Sequence, residues 1–321
     1  MPSRVLITGI TGFAGSHLAE RFVAQRVEVH GFAFEDPPYA NLAAVGDSVT
    51  IHRGDITSLD DLRRALSASR PEVVVHLAGQ AIPTQAARDP VGAVRTNVLG
   101  TAAVLAAIEE HEGVRAVIAS SGEVYGEPAR ALVDETAPAD PRNPYAATKL
   151  AAEALAREVG ERGRRAVVIL RPTNQIGPRQ HPGLAASAFA KQIAEAEAGL
   201  VAPVIHHGSL DARRDFLDVR DMADAYARAS DLDEPGAQVF NVGTGHAVEI
   251  SEILSTLLQL ARTTVRTELD GSLVRRGAPA LALDASRFRA RTGWAPRTHL
   301  KTSLGDLLDY WRAQVKVGVR T

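Results

Sequence analysis

The chain has 321 residues, with 36 basic residues, 38 acidic residues and a formal net charge of −2. Because charges of both signs are interspersed, neither nucleic acid nor an anionic membrane surface is expected as a partner. Cysteine is absent, which excludes disulfides, thiolate metal sites and cysteine nucleophiles but does not define the compartment. We find no leader and no apolar run near the length of a membrane span, so a soluble, cytoplasmic protein is expected.

Short apolar strands alternate with helical stretches through the first half of the chain. The candidate strands are residues 5–8, 28–32, 50–52, 73–76, 116–120 and 166–169. Residues 91–110 and 143–160 are alanine-rich, amphipathic helical stretches. This alternation predicts an α/β fold with a doubly wound parallel sheet. After residue 171 the pattern loosens into short elements separated by prolines, glycines and polar runs, as expected of a smaller C-terminal α/β lobe.

A glycine-rich turn follows the first predicted strand. Gly9, Gly12 and Gly15 have the spacing G-x-x-G-x-x-G, which differs from the ordinary G-x-G-x-x-G, and a helical pattern follows them. A tight turn next to a helix N-terminus is the setting that a dinucleotide pyrophosphate needs. We therefore expect a Rossmann-type sheet, with Phe13 and Ala14 also at the cofactor. The alternative is a glycine turn in an unrelated α/β protein.

A tyrosine and a lysine lie one helical turn apart downstream. Tyr145 and Lys149 share a helix face, and Asn143 and Pro144 suit the N-cap and first position of that helix. A phenol titrates near ~10, so a fixed cation would be needed to stabilise its phenolate. The Y-x-x-x-K pattern alone is weak evidence. Ser121 follows the predicted strand 116–120, where hydroxyls would face a cofactor crevice.

Serine, tyrosine and lysine in this order after G-x-x-G-x-x-G resemble the extended short-chain dehydrogenase/reductase family, also called the NAD-dependent epimerase/dehydratase family. Six further segments carry the resemblance, at residues 54–56, 76–80, 97–101, 171–180, 214–219 and 240–243. The resemblance implies a dinucleotide-binding domain at 1–170 and 216–241, and a nucleotide-sugar-binding lobe at 171–215 and 242–321. It also implies a homodimer paired through the two alanine-rich helices, whose alternative role is packing against the sheet.

The resemblance implies catalytic roles for four residues. Tyr145 would exchange a proton with the sugar oxygen, Ser121 would hydrogen-bond the same oxygen, and Lys149 would lower the tyrosine pKa and hold the nicotinamide ribose. Hydride would pass between the sugar carbon and nicotinamide. Glu123 would orient the sugar or the active-site loop. Asn97 would either support Lys149, as in many relatives, or cap a helix.

The cofactor preference depends on the segment after the second strand. Ala33 replaces the usual aspartate there, but Glu35 and Asp36 would repel a 2′-phosphate. We therefore expect NAD(H) to be favoured, with NADP(H) possible. Asp55 resembles the residue that accepts a hydrogen bond from the adenine amino group. The remaining expected cofactor contacts are Ile56, Leu77, Ala78 and Gly79.

The substrate contacts implied by the resemblance carry amide and cationic side chains. The expected set is Gln80, Glu123, Asn174, Lys191, Arg214, Arg275 and Arg276. Guanidinium groups suit the diphosphate of a nucleotide sugar. For each arginine the alternative is a surface ion pair, and for Lys191 it is solvation. His206 and His207 lack a third ligand at useful spacing, so no metal site is expected.

Within the family, four segments resemble GDP-6-deoxy-D-mannose reductases, at residues 142–145, 171–180, 214–221 and 286–296. The resemblance implies reduction of GDP-4-keto-6-deoxy-D-mannose to GDP-D-rhamnose. Thr173, Gln175 and Gly277 depart from the reductase pattern and leave the sugar and the base open.

Three other functions remain as alternatives. A 4-epimerase needs the same serine, tyrosine and lysine. A 4,6-dehydratase is disfavoured, because Gly122 removes one candidate carboxylate while Glu123 keeps another. A catalytically inactive nucleotide sensor would not require the intact triad.

Overall fold

The structure is a computed structural model that describes residues 1–163, 165–274 and 280–318. The strands are β1 (Arg4–Thr8), β2 (Glu28–Ala33), β3 (Val49–Arg53), β4 (Val73–His76), β5 (Arg115–Ala119), β6 (Leu132–Val133), β7 (Ala166–Pro172), β8 (Asn174–Ile176), β9 (Val204–His207), β10 (Arg213–Asp218), β11 (Gly236–Val242), β12 (Ala247–Glu249), β13 (Arg266–Leu269) and β14 (Ala282–Leu283). The helices are α1 (Phe13–Ala24), α2 (Leu59–Ser69), α3 (Pro83–Arg88), α4 (Pro90–Val94), α5 (Gly100–Glu109), α6 (Pro144–Gly163), α7 (Ala185–Glu197), α8 (Val219–Ala229), α9 (Ile250–Leu260), α10 (Ser286–Thr292) and α11 (Leu300–Gly318).

Seven strands form one parallel sheet in the order β11-β7-β5-β4-β1-β2-β3. The chain winds outward from β1 in both directions, which is the doubly wound Rossmann topology. The predicted fold class is therefore confirmed. The six predicted strands agree with the observed ones to within a few residues, and β7 runs three residues further than expected, to Pro172.

Each face of the sheet carries its own hydrophobic core. One face packs against α1 and α8 through Phe22, Tyr226 and Phe240. The other face packs against α2, α5 and α6 through apolar side chains such as Val104 and Ala156. Helices on both faces explain why the strands are nearly continuous runs of buried apolar residues.

The smaller part of the molecule has a third core between α7, α9 and α11. A three-stranded sheet in the order β12-β10-β8 adjoins it. Two residues of the tail, Phe288 and Trp294, are fully buried in the core of the large sheet. The segment assigned to the substrate lobe thus also contributes to the first core.

The helical stretch Pro90–Glu109 is continuous and includes one π-helical turn at Arg95–Leu99. We expected no apolar run near the length of a membrane span, but this stretch is long and apolar enough to cross one. Half of its most apolar part is buried in the protein, where α5 packs against α2 and α6. The core helix of a globular domain has the same properties, so the feature is weak evidence for a membrane span.

Candidate active site

A cavity lies at the carboxyl ends of the central strands, beside the glycine-rich turn. Gly9 has φ +70°, and a Cβ there would lie 2.8 Å from the backbone of Ala78. A Cβ on Gly15 would lie 2.2 Å from the Gly9 carbonyl oxygen. The turn thus needs glycine for its close backbone contacts, and Gly12 lies at the N-cap of α1. These features fit a dinucleotide pyrophosphate.

Most of the expected cofactor residues line this cavity. The lining residues among them are Gly9, Gly12, Phe13, Ala14, Gly15, Leu77, Gly79, Tyr145 and Lys149. Ala78 is not a lining residue, and its amide donates to the Thr8 hydroxyl at 3.2 Å.

Asn97 holds the loop next to the cavity. Its Oδ1 accepts from the Gln80 amide at 2.8 Å, and its Nδ2 donates to the Gln80 carbonyl and to the Thr148 hydroxyl. Asn97 is buried within a helical turn, so the helix-cap alternative is wrong. Gln80 itself is not a lining residue, although Gly79 and Ala81 on either side of it are.

Helix α6 presents Tyr145 and Lys149 to the cavity. Asn143 caps the helix through Oδ1, which accepts from the Ala146 amide at 2.8 Å, and Pro144 is the first helical residue. Both predicted positions are confirmed. Tyr145 and Lys149 are each 8% exposed and line the cavity.

Burial controls the charge state of both residues. It raises the pKa of Tyr145 above its ordinary value, the Glu123 carboxylate raises it further, and a hydrogen bond with Ser121 opposes the shift. Burial lowers the pKa of Lys149 to about 8, and its Nζ donates to the Ala119 carbonyl at 2.8 Å. We expected Lys149 to lower the Tyr145 pKa, but here burial dominates and the phenol is protonated at neutral pH.

Glu123 is the carboxylate nearest this chemistry among the described lining residues. Its Oε2 accepts from Asn143 Nδ2 at 2.8 Å, and its amide donates to Ser121 Oγ at 3.1 Å. Burial raises its pKa, while Asn143 and Arg214 oppose the shift. A Cβ on Gly122 would lie 2.8 Å from Leu283 Cδ1. A side chain at residue 122 would therefore require the Leu283 side chain to move.

A buried ion pair lies one turn beyond Lys149. Arg171 Nη2 donates to Glu153 Oε2 at 2.6 Å, and the two side chains are 4% and 1% exposed. Ser120 Oγ also donates to Glu153, and Arg171 Nη1 donates to the Tyr125 hydroxyl at 2.9 Å. The network joins the residue after β5 to α6 and β7, and its member Ser120 lines the cavity. The negative charge of Glu153 opposes the loss of the Lys149 proton.

Apart from Gln80, described above, the expected substrate residues separate into three groups. Asn174 and Arg214 line the cavity with Glu123, and Asn174 Nδ2 donates to the Asp215 carbonyl at 3.1 Å. Arg275 and Arg276 lie outside the described residues. The structure does not bring Lys191 to the cavity: it pairs with Glu195 and lies 6.0 Å from the centre of the Trp311 ring. Lys191 and Glu195 are four residues apart on α7, so they pair within the helix.

Asp55 and Ile56 lie after β3 and are not among the cavity-lining residues. Asp55 Oδ1 accepts from the amide and the hydroxyl of Thr57, both at 2.8 Å. The Thr57 amide is the largest cause of a lowered Asp55 pKa. The adenine contact remains a prediction.

Sequence reasoning missed Tyr226, Gln175 and Gln180 as lining residues. Tyr226 comes from α8 and lies near Tyr145 and the Gln175 side chain. Nothing in the α8 pattern separates this tyrosine from ordinary core residues. Gln175 and Gln180 each hold a buried Oε1 without a hydrogen-bond partner among the described residues, and no spacing rule indicates such acceptors. The described residues also contain no group of three or more His, Asp or Glu arranged to hold a metal.

A family model for GDP-mannose 4,6 dehydratase matches residues 6–307 of the chain. The chain belongs to this family. It is 35% identical to GDP-6-deoxy-D-mannose reductase of Pseudomonas aeruginosa, over 98% of this chain and 99% of the relative. It is 32% identical to UDP-glucose 4-epimerase of Mycolicibacterium smegmatis, over 96% of this chain and 98% of the relative.

Solved structures agree with this membership. RMD from Pseudomonas aeruginosa, complexed with NADPH, has a TM-score of 0.82 at 33% identity and covers 97% of this chain and 99% of its own. Thermus thermophilus UDP-glucose 4-epimerase, complexed with NAD, has a TM-score of 0.85 at 30% identity, with coverage of 96% and 99%. The resemblance to extended short-chain dehydrogenases/reductases is confirmed, and the chain is an enzyme of that superfamily. The two bound cofactors agree with the expectation of either dinucleotide.

Proposed function

We propose that this enzyme is an NAD(P)H-dependent 4-keto reductase of a nucleotide sugar, acting on GDP-4-keto-6-deoxy-D-mannose to give GDP-D-rhamnose. The observation that carries the proposal is the lining of the cavity: buried Tyr145 lies there with Glu123 as the one carboxylate among the described lining residues, and Gly122 packs against Leu283. Ketone reduction needs one hydride and one proton. It does not need the pair of carboxyl groups that water elimination across C5 and C6 requires.

The residues divide the work as follows. Tyr145 Oη gives its proton to the sugar O4 as the carbonyl becomes an alcohol, and Ser121 Oγ hydrogen-bonds that oxygen. Lys149 holds a positive charge next to the phenol and binds the nicotinamide ribose. The residues of the glycine turn hold the reduced dinucleotide, which supplies the hydride when bound. Asn174 and Arg214 contact the diphosphate side of the substrate.

The division of the chain into two lobes is part of this proposal. Residues 1–170 and 216–241 would bind the dinucleotide, and residues 171–215 and 242–321 would bind the nucleotide sugar. The cavity supports it, because glycines of the first part and Asn174 and Arg214 of the second line the same space.

We also infer a homodimer formed through α4, α5 and α6. Val91 is 77% exposed, and Val94, Leu99 and Leu155 add apolar surface on the same helices, as a covered face would. Sedimentation equilibrium tests this inference: wild type should be dimeric and Val91→Glu should be weaker, whereas a monomeric wild type would contradict it. We also place the enzyme in the cytoplasm, and cell fractionation would test that location.

A 4-epimerase is the second candidate, because UDP-glucose 4-epimerases match the chain end to end and use the same three residue types. Product analysis separates the candidates. The purified enzyme should form GDP-D-rhamnose from GDP-4-keto-6-deoxymannose with NADH or NADPH. When UDP-glucose or GDP-mannose is offered as the sole sugar, it should remain unchanged. Conversion of UDP-glucose to UDP-galactose would support epimerisation, and dehydration of GDP-mannose would support the dehydratase.

A further inference from the structure

Arg53 is the last residue of β3 and lies beside the end of β2. Ala33, the last residue of β2, is its partner in the parallel register, and the Gly54 amide donates to the Ala33 carbonyl at 3.0 Å. In sheets of this topology the end of the second strand meets the adenosine ribose of the cofactor. Arg53 therefore reaches the ribose region from the neighbouring strand, although no cation stands in residues 33–36.

The acidic residues after β2 each have a partner. Arg53 Nη2 pairs with Asp36 Oδ1 at 2.6 Å, and these side chains are 53% and 75% exposed. Glu35 Oε2 accepts from the Thr11 hydroxyl at 3.0 Å, which holds Glu35 at the glycine-rich turn. An exposed ion pair is weak, so another anion can take the place of Asp36 at little cost.

We propose that Arg53 binds the 2′-phosphate of NADP(H) by exchanging Asp36 for the phosphate, while Glu35 binds the ribose hydroxyls of NAD(H). A guanidinium can donate two hydrogen bonds to a phosphate. A carboxylate at Glu35 accepts from a free 2′-hydroxyl and repels a phosphate. Arg53 at the end of β3 and Glu35 just after β2 thereby set the balance between the two cofactors. The inference rests on the proposed function only in that a dinucleotide binds at the glycine turn.

Calorimetric titration without sugar substrate tests this assignment. Wild type, Arg53→Gln and Arg53→Lys would each be titrated with NADPH, NADH, 2′,5′-ADP and 5′-AMP. Arg53→Gln should weaken the binding of NADPH and of 2′,5′-ADP by about tenfold, because a charge-assisted contact is lost. Binding of NADH and 5′-AMP should stay within about twofold, which also shows that the variant is folded. Arg53→Lys should recover part of the lost affinity.

Arg63→Gln is the matched control. Arg63 lies on α2 and pairs with Glu110 and Asp60, so the variant makes the same change in net charge away from the ribose. The assignment would be overturned if Arg53→Gln and Arg63→Gln lost equal affinity for NADPH, or if Arg53→Gln bound NADPH as tightly as wild type. A wild type that binds NADH but not NADPH would also overturn it and leave the proposed reductase intact. Failure to bind either dinucleotide would contradict both proposals.

Discussion

Tyr145 carries the proton that the proposed reduction needs. Tyr145→Phe removes the hydroxyl and little volume, so fold and dinucleotide binding should change little. The turnover number should fall by about two to four orders of magnitude, the usual contribution of a general acid. Steady-state kinetics and dinucleotide titration would measure the two effects. Tyr310→Phe, at a tyrosine outside the cavity lining, is the control, and more than a tenth of wild-type turnover in Tyr145→Phe would contradict this role.

Lys149 predicts an alkaline limit to activity. Burial lowers its pKa to about 8, so the ammonium is present below that pH and is lost as the pH rises through it. The free enzyme would then lose the charge that we propose binds the ribose, and kcat/KM for the dinucleotide should fall above about pH 8. The arginine of Lys149→Arg keeps its charge at these pH values, so any residual activity of this variant should not fall above pH 8. A flat wild-type profile between pH 7 and pH 10 would count against the assignment.

At the scale of the element, Asn143 both stabilises α6 and orients Glu123. Its Oδ1 caps the helix and its Nδ2 donates to the carboxylate. Asn143→Ala loses both contacts and should destabilise the protein by about 1 kcal/mol. Asn143→Ser keeps a capping oxygen but lacks the amide donor, so it should retain stability while kcat/KM falls by about tenfold.

Urea denaturation and steady-state kinetics on the two Asn143 variants separate these effects. If Asn143→Ser lost as much stability as Asn143→Ala, the capping account would be wrong. If Asn143→Ser kept full activity, the bond to Glu123 would have no part in catalysis.

Elements with strong local signals were predictable from the sequence. The β1 strand, the glycine turn and the capped helix α6 each depend on residues close together in the chain. The Glu153 and Arg171 pair was not predicted, because it depends on the register between α6 and β7, which spacing within one segment does not reveal. The expected substrate contact of Lys191 stays a prediction: its ion pair with Glu195 follows from i,i+4 spacing within α7, whereas its contact with Trp311 depends on how α7 packs against α11.

At the scale of the whole molecule, the two sides of the cavity come from distant parts of the chain. The glycine motif near the N-terminus predicted the turn that lines one side of the cavity. The opposite side combines β8, β10 and a residue of α8, and Tyr226 reaches it only through packing of α8 against the sheet. Family resemblance indicated Asn174 and Arg214 there, but local pattern could not indicate Tyr226 or the buried acceptors of Gln175 and Gln180.

The ratio of cofactor oxidised to sugar converted tests the reductase proposal most directly. An epimerase or a dehydratase regenerates its dinucleotide within one turnover, whereas a reductase consumes it. Incubation with GDP-4-keto-6-deoxymannose and NADH or NADPH should give one oxidised dinucleotide for each 6-deoxy product, measured by absorbance and chromatography of the same sample. Conversion of nucleotide hexoses with no net oxidation of cofactor would contradict the proposal.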